Sequence, residues 1–392
     1  MRSRSSVARM LVVLTAVFSL LGACSSRPDV GALALNNTPA EGARVHDVLI
    51  VTTRERDDRP DTYFNGERAG KTNYAAASVS VPPSHVPGAI EWPGSLPGDP
   101  AKDFVARDAS YLADRTAYQS RLNQELRERS RGQREVFLFI HGFNTLFAEG
   151  LYRFTQFSHD AGYAGVPVLF TWASRGKIQD YLYDLNSAAI ARDALEQTLT
   201  DLAASDAEEI TILAHSMGNW LLMETIRQMP ASERRKLQPR IKRIIMAAPD
   251  IDIDLFKASM KKLGTPKKPF VVVVSKDDRA LRASRALSGG VERLGAFSND
   301  EELTELGAVV IDLTEVHSAD ATHHSKFAAL AEFSPELQQA LAHRSLTSHS
   351  SIDGPNDLGQ DLGGFVGNAA QTAITLPIRI IAAPVTLARG GT

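Results

Sequence analysis

The 392-residue chain has a single cysteine, Cys24, so it can close no disulfide within itself in any compartment. It also lacks an excess of positive charge, with 43 Lys and Arg against 46 Asp and Glu. Three of those bases, Arg2, Arg4 and Arg9, lie in a segment expected to be removed. Taking them from the 43 leaves 40 against 46, a net charge of −6. That balance gives no basic footprint for nucleic acid and no polybasic patch for a membrane surface. What the chain does have, 43% hydrophobic and 23% charged residues, is ordinary globular composition.

The N-terminus carries the first specific pattern. Three arginines precede Met10–Ala23, an uncharged stretch that is shorter than the roughly 20 residues of a membrane-spanning helix. A basic start, a short apolar run and small residues before a cut make a secretory signal peptide, expected over residues 1–23. Leu21-Gly22-Ala23-Cys24 is similar to a bacterial lipobox, in which the cysteine thiol is acylated and becomes the mature N-terminus. A lone cysteine at this place is hard to explain by packing. The expectation is therefore a lipid anchor on Cys24 in the cell envelope. Ser25 rather than Asp follows it, as in lipoproteins sent to an outer membrane.

Small polar residues over 24–45 predict a tether. His46–Thr53 predicts a strand, 54–75 a loop, Ala76–Val81 a strand, Ile90–Pro100 a loop and Asp108–Ser130 a helix. From Arg134 the pattern alternates. Strands are expected at Glu135–Ile140, Val166–Trp172, Glu209–Ala214, Lys242–Ala247, Phe270–Ser275 and Ala308–Leu313. Helices are expected at 145–163, 186–204, 217–229, 252–263, 279–288 and 325–342. Short Val- and Ile-rich strands alternating with helices predict a doubly wound, mostly parallel sheet with helices on both faces, an α/β domain over 46–344. Residues 345–360 read as a linker. The apolar stretch 362–388, with Arg379 its only charge and two prolines, reads as a tail on the domain surface; a membrane-interface segment is the alternative.

One motif carries chemistry. The apolar strand Ile210–Leu213 runs into Ala214-His215-Ser216-Met217-Gly218 and then a helical pattern. This is a nucleophile elbow with Ala for the first Gly, making Ser216 the candidate nucleophile. A tight strand-to-helix turn tolerates only small side chains two places either side of the serine. The helix start then offers N–H groups to a developing oxyanion. A second donor is expected after an earlier strand, where Phe139-Ile140-His141-Gly142-Phe143 ends in His-Gly. The two donors are assigned to the backbone N–H groups of Phe143 and Met217; the plainer alternative is that His141 and Gly142 only shape a turn.

A serine hydroxyl needs a base, and the base needs an orienting acid. In this order of elements the acid follows a late strand and the histidine comes last. Asp278 is preferred, with Asp277 its direct competitor and Asp250 third. His324 is preferred as base, at a loop-to-helix junction, with His323 and His317 behind it. Adjacent acids and adjacent histidines leave both choices open.

Together these segments resemble the bacterial α/β-hydrolases of the DUF900 family. Beyond the elbow and Phe139–Thr145, the matching residues are Val51-Thr-Thr-Arg54, Val79–Pro82 with His85 and Gly88, Phe170–Gly176, Ala248–Asp252, Asp278–Leu281 and His324-Ser325. The resemblance covers roughly residues 46–330. It implies the α/β-hydrolase fold, a Ser-Asp-His triad and, by alignment, Asp278 and His324 within it; it implies no substrate. Lys326 stands where the family usually has tyrosine, and Ala173 where proline is common.

The expected reaction is acyl transfer to water, most simply on carboxylic esters of small molecules or lipids, with no metal or organic cofactor called for. Trp172 and Tyr183 are candidate pocket walls. The alternative from another class is a catalytically silent lipoprotein that keeps the fold for binding or envelope assembly. Oligomeric state is not legible.

Overall fold

The computed structural model describes residues 27–264, 266, 268–317, 320, 322–331 and 378–381. The signal peptide, Cys24, residues 332–344 and the 345–360 linker lie outside the described residues. One sheet runs in the order β10-β9-β8-β7-β6-β4-β5-β1-β2-β3. Its strands are β1 Arg44–Arg56, β2 Phe64–Val81, β3 Val105–Leu112, β4 Glu135–Ile140, β5 Val166–Thr171, β6 Glu209–His215, β7 Ile241–Ala247, β8 Phe270–Val274, β9 Ala308–Asp312 and β10 Arg379–Ile381. From β9 across to β1 every neighbouring pair is parallel; β2, β3 and β10 join antiparallel at the edges.

The helices are α1 Arg115–Glu128, α2 Phe147–Asp160, α3 Tyr181–Ile190, α4 Arg192–Ala204, α5 Met217–Gln228, α6 Ala231–Leu237, α7 Ile253–Leu263, α8 Arg279–Leu287 and α9 Asp300–Glu305. Strand β4 shows why the central strands are apolar throughout. Val136, Leu138 and Ile140 enter a core with Leu122 of α1, Leu195 of α4 and Leu221 of α5. The alternate residues Phe137 and Phe139 enter the opposite core with Leu151, Phe154 and Phe157 of α2. With period-two side chains and helices on both faces, every position of such a strand is buried.

Several expectations fail where backbone pairing overrides composition. Residues 64–75 are not loop but the first part of β2, paired with β1 through two breaks in register, at Arg54↔Arg68 and Arg56↔Phe64. Their charged and glycine positions lie on partly wet backbone, where this pairing and distant side-chain partners, Arg175 for Glu67 and Ser187 for Arg68, supply the order. The helix expected from Asp108 is a strand to Leu112; α1 starts only after Asp114, whose side chain accepts from Ala117 N–H. The expected 186–204 helix starts earlier and is divided at Ala191 into α3 and α4. Of 325–342, Lys326–Ala331 forms a short 3-10 turn.

Both ends of the domain are fastened. The stretch expected as a tether is bound from Arg27 onward. The Arg27 guanidinium donates to the carbonyls of Asn144 (2.7 Å) and Gly176 (2.8 Å) and to Asn144 Oδ1 (2.8 Å), and it pairs with Glu149. Tyr152 Oη donates to the Ala32 carbonyl at 2.7 Å, and Leu33 is buried. At the other end Ile380↔Ile311 and Ile381↔Val310 pair β10 onto β9.

Candidate active site

The chain leaves β4 for β5 on one side and returns to β6 on the other, so β4 and β6 flank the point where strand order reverses. Open α/β sheets place ligands outside the carboxyl ends of strands at such a point. Ser216 follows β6 directly, and His141-Gly142 follows β4.

Ser216 has φ 52° and ψ −123°, a left-handed conformation that non-glycine residues rarely adopt. The turn is held by what surrounds it. Ser216 N–H donates to the Ala247 carbonyl at 3.0 Å. The Ser216 carbonyl accepts from the N–H groups of Asn219 (3.0 Å) and Asp250 (3.2 Å), while Asn219 Nδ2 donates to the Ala247 carbonyl at 3.0 Å. Neighbouring glycines are required by distance. A Cβ on Gly218 would lie 2.5 Å from the His141 carbonyl oxygen, and one on Gly142 would lie 2.7 Å from Ser216 Cβ. Ala214 fits in the fully buried space at the other side of the elbow.

Met217 begins α5, so its N–H has no acceptor within the helix. Among the described residues neither the Met217 nor the Phe143 N–H finds a hydrogen-bond acceptor, whereas the following two N–H groups are taken: Asn144 by Asp184 Oδ2 (3.2 Å) and Thr145 by Ser174 Oγ (3.0 Å). His141 shapes this loop from beneath. Its Nδ1–H donates to the Gly142 carbonyl at 2.8 Å, and its Nε2 accepts from Trp172 N–H at 3.1 Å. Burial, helped by the nearby Arg54 charge, pushes the His141 pKa down to about 3 and keeps the ring neutral. Trp172 stacks on that ring and donates from Nε1 to the His141 carbonyl (3.0 Å), so it braces the loop instead of walling a pocket. Tyr183 lies between Arg68 and Arg175, away from Ser216.

Strands β8 and β9 deliver two Asp–His pairs side by side. Asp278 Oδ2 meets His324 Nδ1 at 2.7 Å, and Asp277 Oδ2 meets His323 Nδ1 at 2.7 Å. The pairs differ in setting. Asp278 is fully buried and also caps α8 through Leu281 N–H, whereas Asp277 and His323 are each about one-third exposed. His324 packs against His215, the neighbour of Ser216, with ring centres 4.7 Å apart, and His215 Nε2 lies 3.3 Å from the His324 carbonyl. Burial opposes charge on His324, but the hydrogen bond to Asp278 and its charge outweigh this and raise the pKa above 6.5. Asp250 is engaged elsewhere, accepting from Ser284 Oγ at 2.7 Å and pairing with Arg293 at 3.2 Å; His317 is exposed. The geometry thus brings Asp278 and His324 together beside Ser216. It makes no hydrogen bond between Ser216 Oγ and the His324 ring, a link that in unliganded sites often tightens only on binding.

Four supporting residues escaped the sequence reading. Arg54, fully buried, donates to Thr171 Oγ1 (2.8 Å) and to the carbonyls of Ser174 and Thr145 (both 2.7 Å), tying the loops after β4 and β5 to β1. Asp184 collects Ser174 Oγ and the N–H groups of Asn144 and Arg175. Asp320 accepts from the N–H groups of Thr322, His324 and Ser325 and so shapes the histidine loop. Lys326 donates to both oxygens of Asp277 and to the carbonyls of Leu313 and Thr314. Arg54 had a visible trace as the last residue of a matching segment, and Lys326 as the residue standing where tyrosine is usual.

The model of a family described as alpha/beta hydrolase of unknown function, DUF900, matches residues 114–344. The chain belongs to this family. Its parallel sheet, elbow and element order are those of an α/β hydrolase. Among solved structures it is similar to lipase B of Aspergillus fumigatus, at 13% identity with a TM-score of 0.29. That match covers 56% of this chain and 53% of the lipase, so the chain spans about half of the lipase's length. No curated protein sequence matches it. In this DUF900 protein a surface cleft of about 810 Å³, lined by Arg56, Glu67, Arg175 and Lys177 among others, includes neither Ser216 nor His324 in its walls.

Proposed function

We propose that the chain is a serine hydrolase that transfers acyl groups from carboxylic esters to water. The observation that supports this most is the buried Asp278–His324 pair, 2.7 Å apart, beside a serine held at φ 52° on a strand-to-helix elbow. Ser216 Oγ attacks the ester carbonyl while His324 Nε2 takes its proton, and Asp278 fixes the tautomer through Nδ1–H. The carbonyl oxygen, now negative, is held by the N–H groups of Phe143 and Met217. His324 gives the proton to the departing alcohol; water then attacks the acyl-serine with His324 as base again, freeing the acid. We further propose that Cys24 is acylated and anchors the protein to the envelope membrane, on the strength of the Leu21–Cys24 pattern.

Purified protein treated with a fluorophosphonate probe tests the first reading. Labelling should be lost in Ser216→Ala and fall by about 10³-fold or more in Asp278→Asn and His324→Ala. Because only neutral imidazole accepts a proton and Asp278 raises the His324 pKa, the wild-type rate should rise with pH through an inflection above 6.5. Folded wild type that takes no label would refute the reading and favour the silent binding protein.

A further inference from the structure

We infer that the acyl anchor on Cys24 presses the mouth of the Ser216 site against the bilayer, so that the substrate is a lipid ester drawn directly from the membrane. This rests on both readings above and adds an orientation and a substrate class to them. Its starting point is how little free chain is left. Cys24 precedes Arg27 by three residues, and three Cα–Cα steps of 3.80 Å span at most about 11 Å. Among the described residues Arg27 is the first to be fastened, and its partners lie on the loops at the carboxyl ends of β4 and β5, the end of the sheet that carries the site. Asn144 immediately follows the oxyanion residue Phe143. An anchor this close to those loops leaves the domain no long tether on which to turn, and holds its site end at the lipid.

That end carries the surface a bilayer would wet. Ile178 is 73% exposed, Leu182 71% and Leu287 72%. Ile178 stands two residues beyond Gly176, whose carbonyl holds Arg27, at the start of a short 3-10 turn, and Leu182 lies in the first turn of α3. Between them Tyr181 turns inward: its ring meets the Phe143 ring edge-on at 5.1 Å, and its hydroxyl lies 3.2 Å from Ser284 Oγ on α8. Leu287 lies one turn beyond Ser284. Three large apolar side chains therefore stand on elements joined through Tyr181: the turn before α3, α3 itself and α8. Lys177 adjoins Ile178 but shares its cleft with Asp29, Asp58, Glu67 and Asp180, so the contact with lipid rests on the apolar side chains and the anchor, not on charge. Scattered exposed leucines need no explanation; that the three most exposed large apolar residues among those described all lie on these neighbouring elements does.

The test uses the full acylated chain in vesicles of phosphatidylethanolamine and phosphatidylglycerol. Cysteines are introduced singly as Ile178→Cys, Leu182→Cys and Arg131→Cys, the last exposed in the turn before β4 at the opposite end of the sheet. A lipid-modified Cys24 has no free thiol and takes no dye, so a bimane label reports only the new site. With side chains about 5–10 Å into the headgroup boundary, a nitroxide-bearing lipid should quench the labels at 178 and 182 at least about twofold more than at 131. Equal quenching at all three, or an intact mass showing a free Cys24 thiol, overturns the inference. Fluorophosphonate labelling of Ser216 on the same samples separates the cases: labelled serine with unquenched probes at 178 and 182 refutes the orientation alone, and unlabelled serine refutes the hydrolase reading beneath it.

Discussion

Lys326→Met removes an ammonium and keeps much of the side-chain volume, so it isolates what that charge does. The side chain is 3% exposed, and Nζ lies 2.7 and 2.9 Å from the Asp277 oxygens, 2.8 Å from the Thr314 carbonyl and 3.2 Å from the Leu313 carbonyl. It therefore staples the loop after β8 to the loop after β9, the two loops that carry Asp278 and His324. Methionine leaves the Thr314 carbonyl without this donor, at about 1–3 kcal/mol, whereas the Leu313 carbonyl keeps the Val316 N–H at 3.0 Å. The Asp277 side chain is 35% exposed, so its lost ion pair adds little. The expected loss is about 1–3 kcal/mol in urea unfolding. Burial works against the charge on Asp277, but hydrogen bonds from Lys326, Ser275 and His323 hold its pKa down to about 2. A carboxylate depressed in the folded state contributes stability above its unfolded pKa, near 4, and loses it as pH falls towards 2. The variant should thus destabilise less steeply than wild type over that window. Loosening the loops should also slow fluorophosphonate labelling about tenfold or more, since misplacement of about 1 Å is that damaging. A variant within about 0.5 kcal/mol of wild type, labelling at the wild-type rate, would refute the staple.

Two further perturbations probe parts of the molecule that share no residue with it. His85 stands between Glu91 (2.7 Å) and Asp160 (2.8 Å); burial opposes its charge, but the hydrogen bonds to Asp160 and Glu91 raise its pKa to about 9. A histidine raised in the folded state stabilises below its unfolded pKa near 6.5 and loses this as pH rises through 9. The unfolding free-energy gap between wild type and His85→Gln should therefore shrink by about 3 kcal/mol from pH 6 to pH 10, and a constant gap would dismiss the argument. Gly142→Ala puts a Cβ 2.7 Å from Ser216 Cβ and 3.1 Å from the His215 carbonyl, so labelling should drop sharply with about 1–3 kcal/mol of destabilisation. Gly70→Ala meets nothing within 4 Å and should leave labelling unchanged; equal effects of the two would show that crowding at the elbow is not what Gly142 avoids.

The central sheet was legible because both faces of its strands are covered. Residues such as Val136–Ile140 must then all be apolar, and the run announces itself. The edge was not, because β2 around Glu67–Lys71 pairs with β1 only at Arg68 and is held also by distant partners, Arg175 for Glu67 and Ser187 for Arg68, which no local pattern announces. The boundary between β3 and α1 was missed although Asp114 marks it: a capping aspartate looks like any other until the helix behind it is known. The tether failed for a related reason. Small polar residues say nothing about whether their carbonyls and neighbouring arginine have partners elsewhere, and Arg27 finds its partners more than a hundred residues away.

At the site, the elbow could be read from five residues because it is local: a strand, a turn at φ 52° and a helix start need small neighbours at fixed offsets. The acid and base could not be separated so cleanly, since Asp277 and Asp278, like His323 and His324, are consecutive and each finds a partner at 2.7 Å. What tells the pairs apart is burial, a property of the packed loops and not of the four residues themselves. One carboxylate has no exposure and faces a histidine packed against His215; the other shares its oxygens with Lys326 near the surface. The outer pair thus holds in place the loops from which the inner pair projects, and Lys326, the residue that departs from the family's tyrosine, joins the two. On this reading the departure lies in the support of the site and not in its chemistry, which is why the Lys326→Met variant should weaken folding and labelling together while the pH inflection set by Asp278 and His324 stays above 6.5.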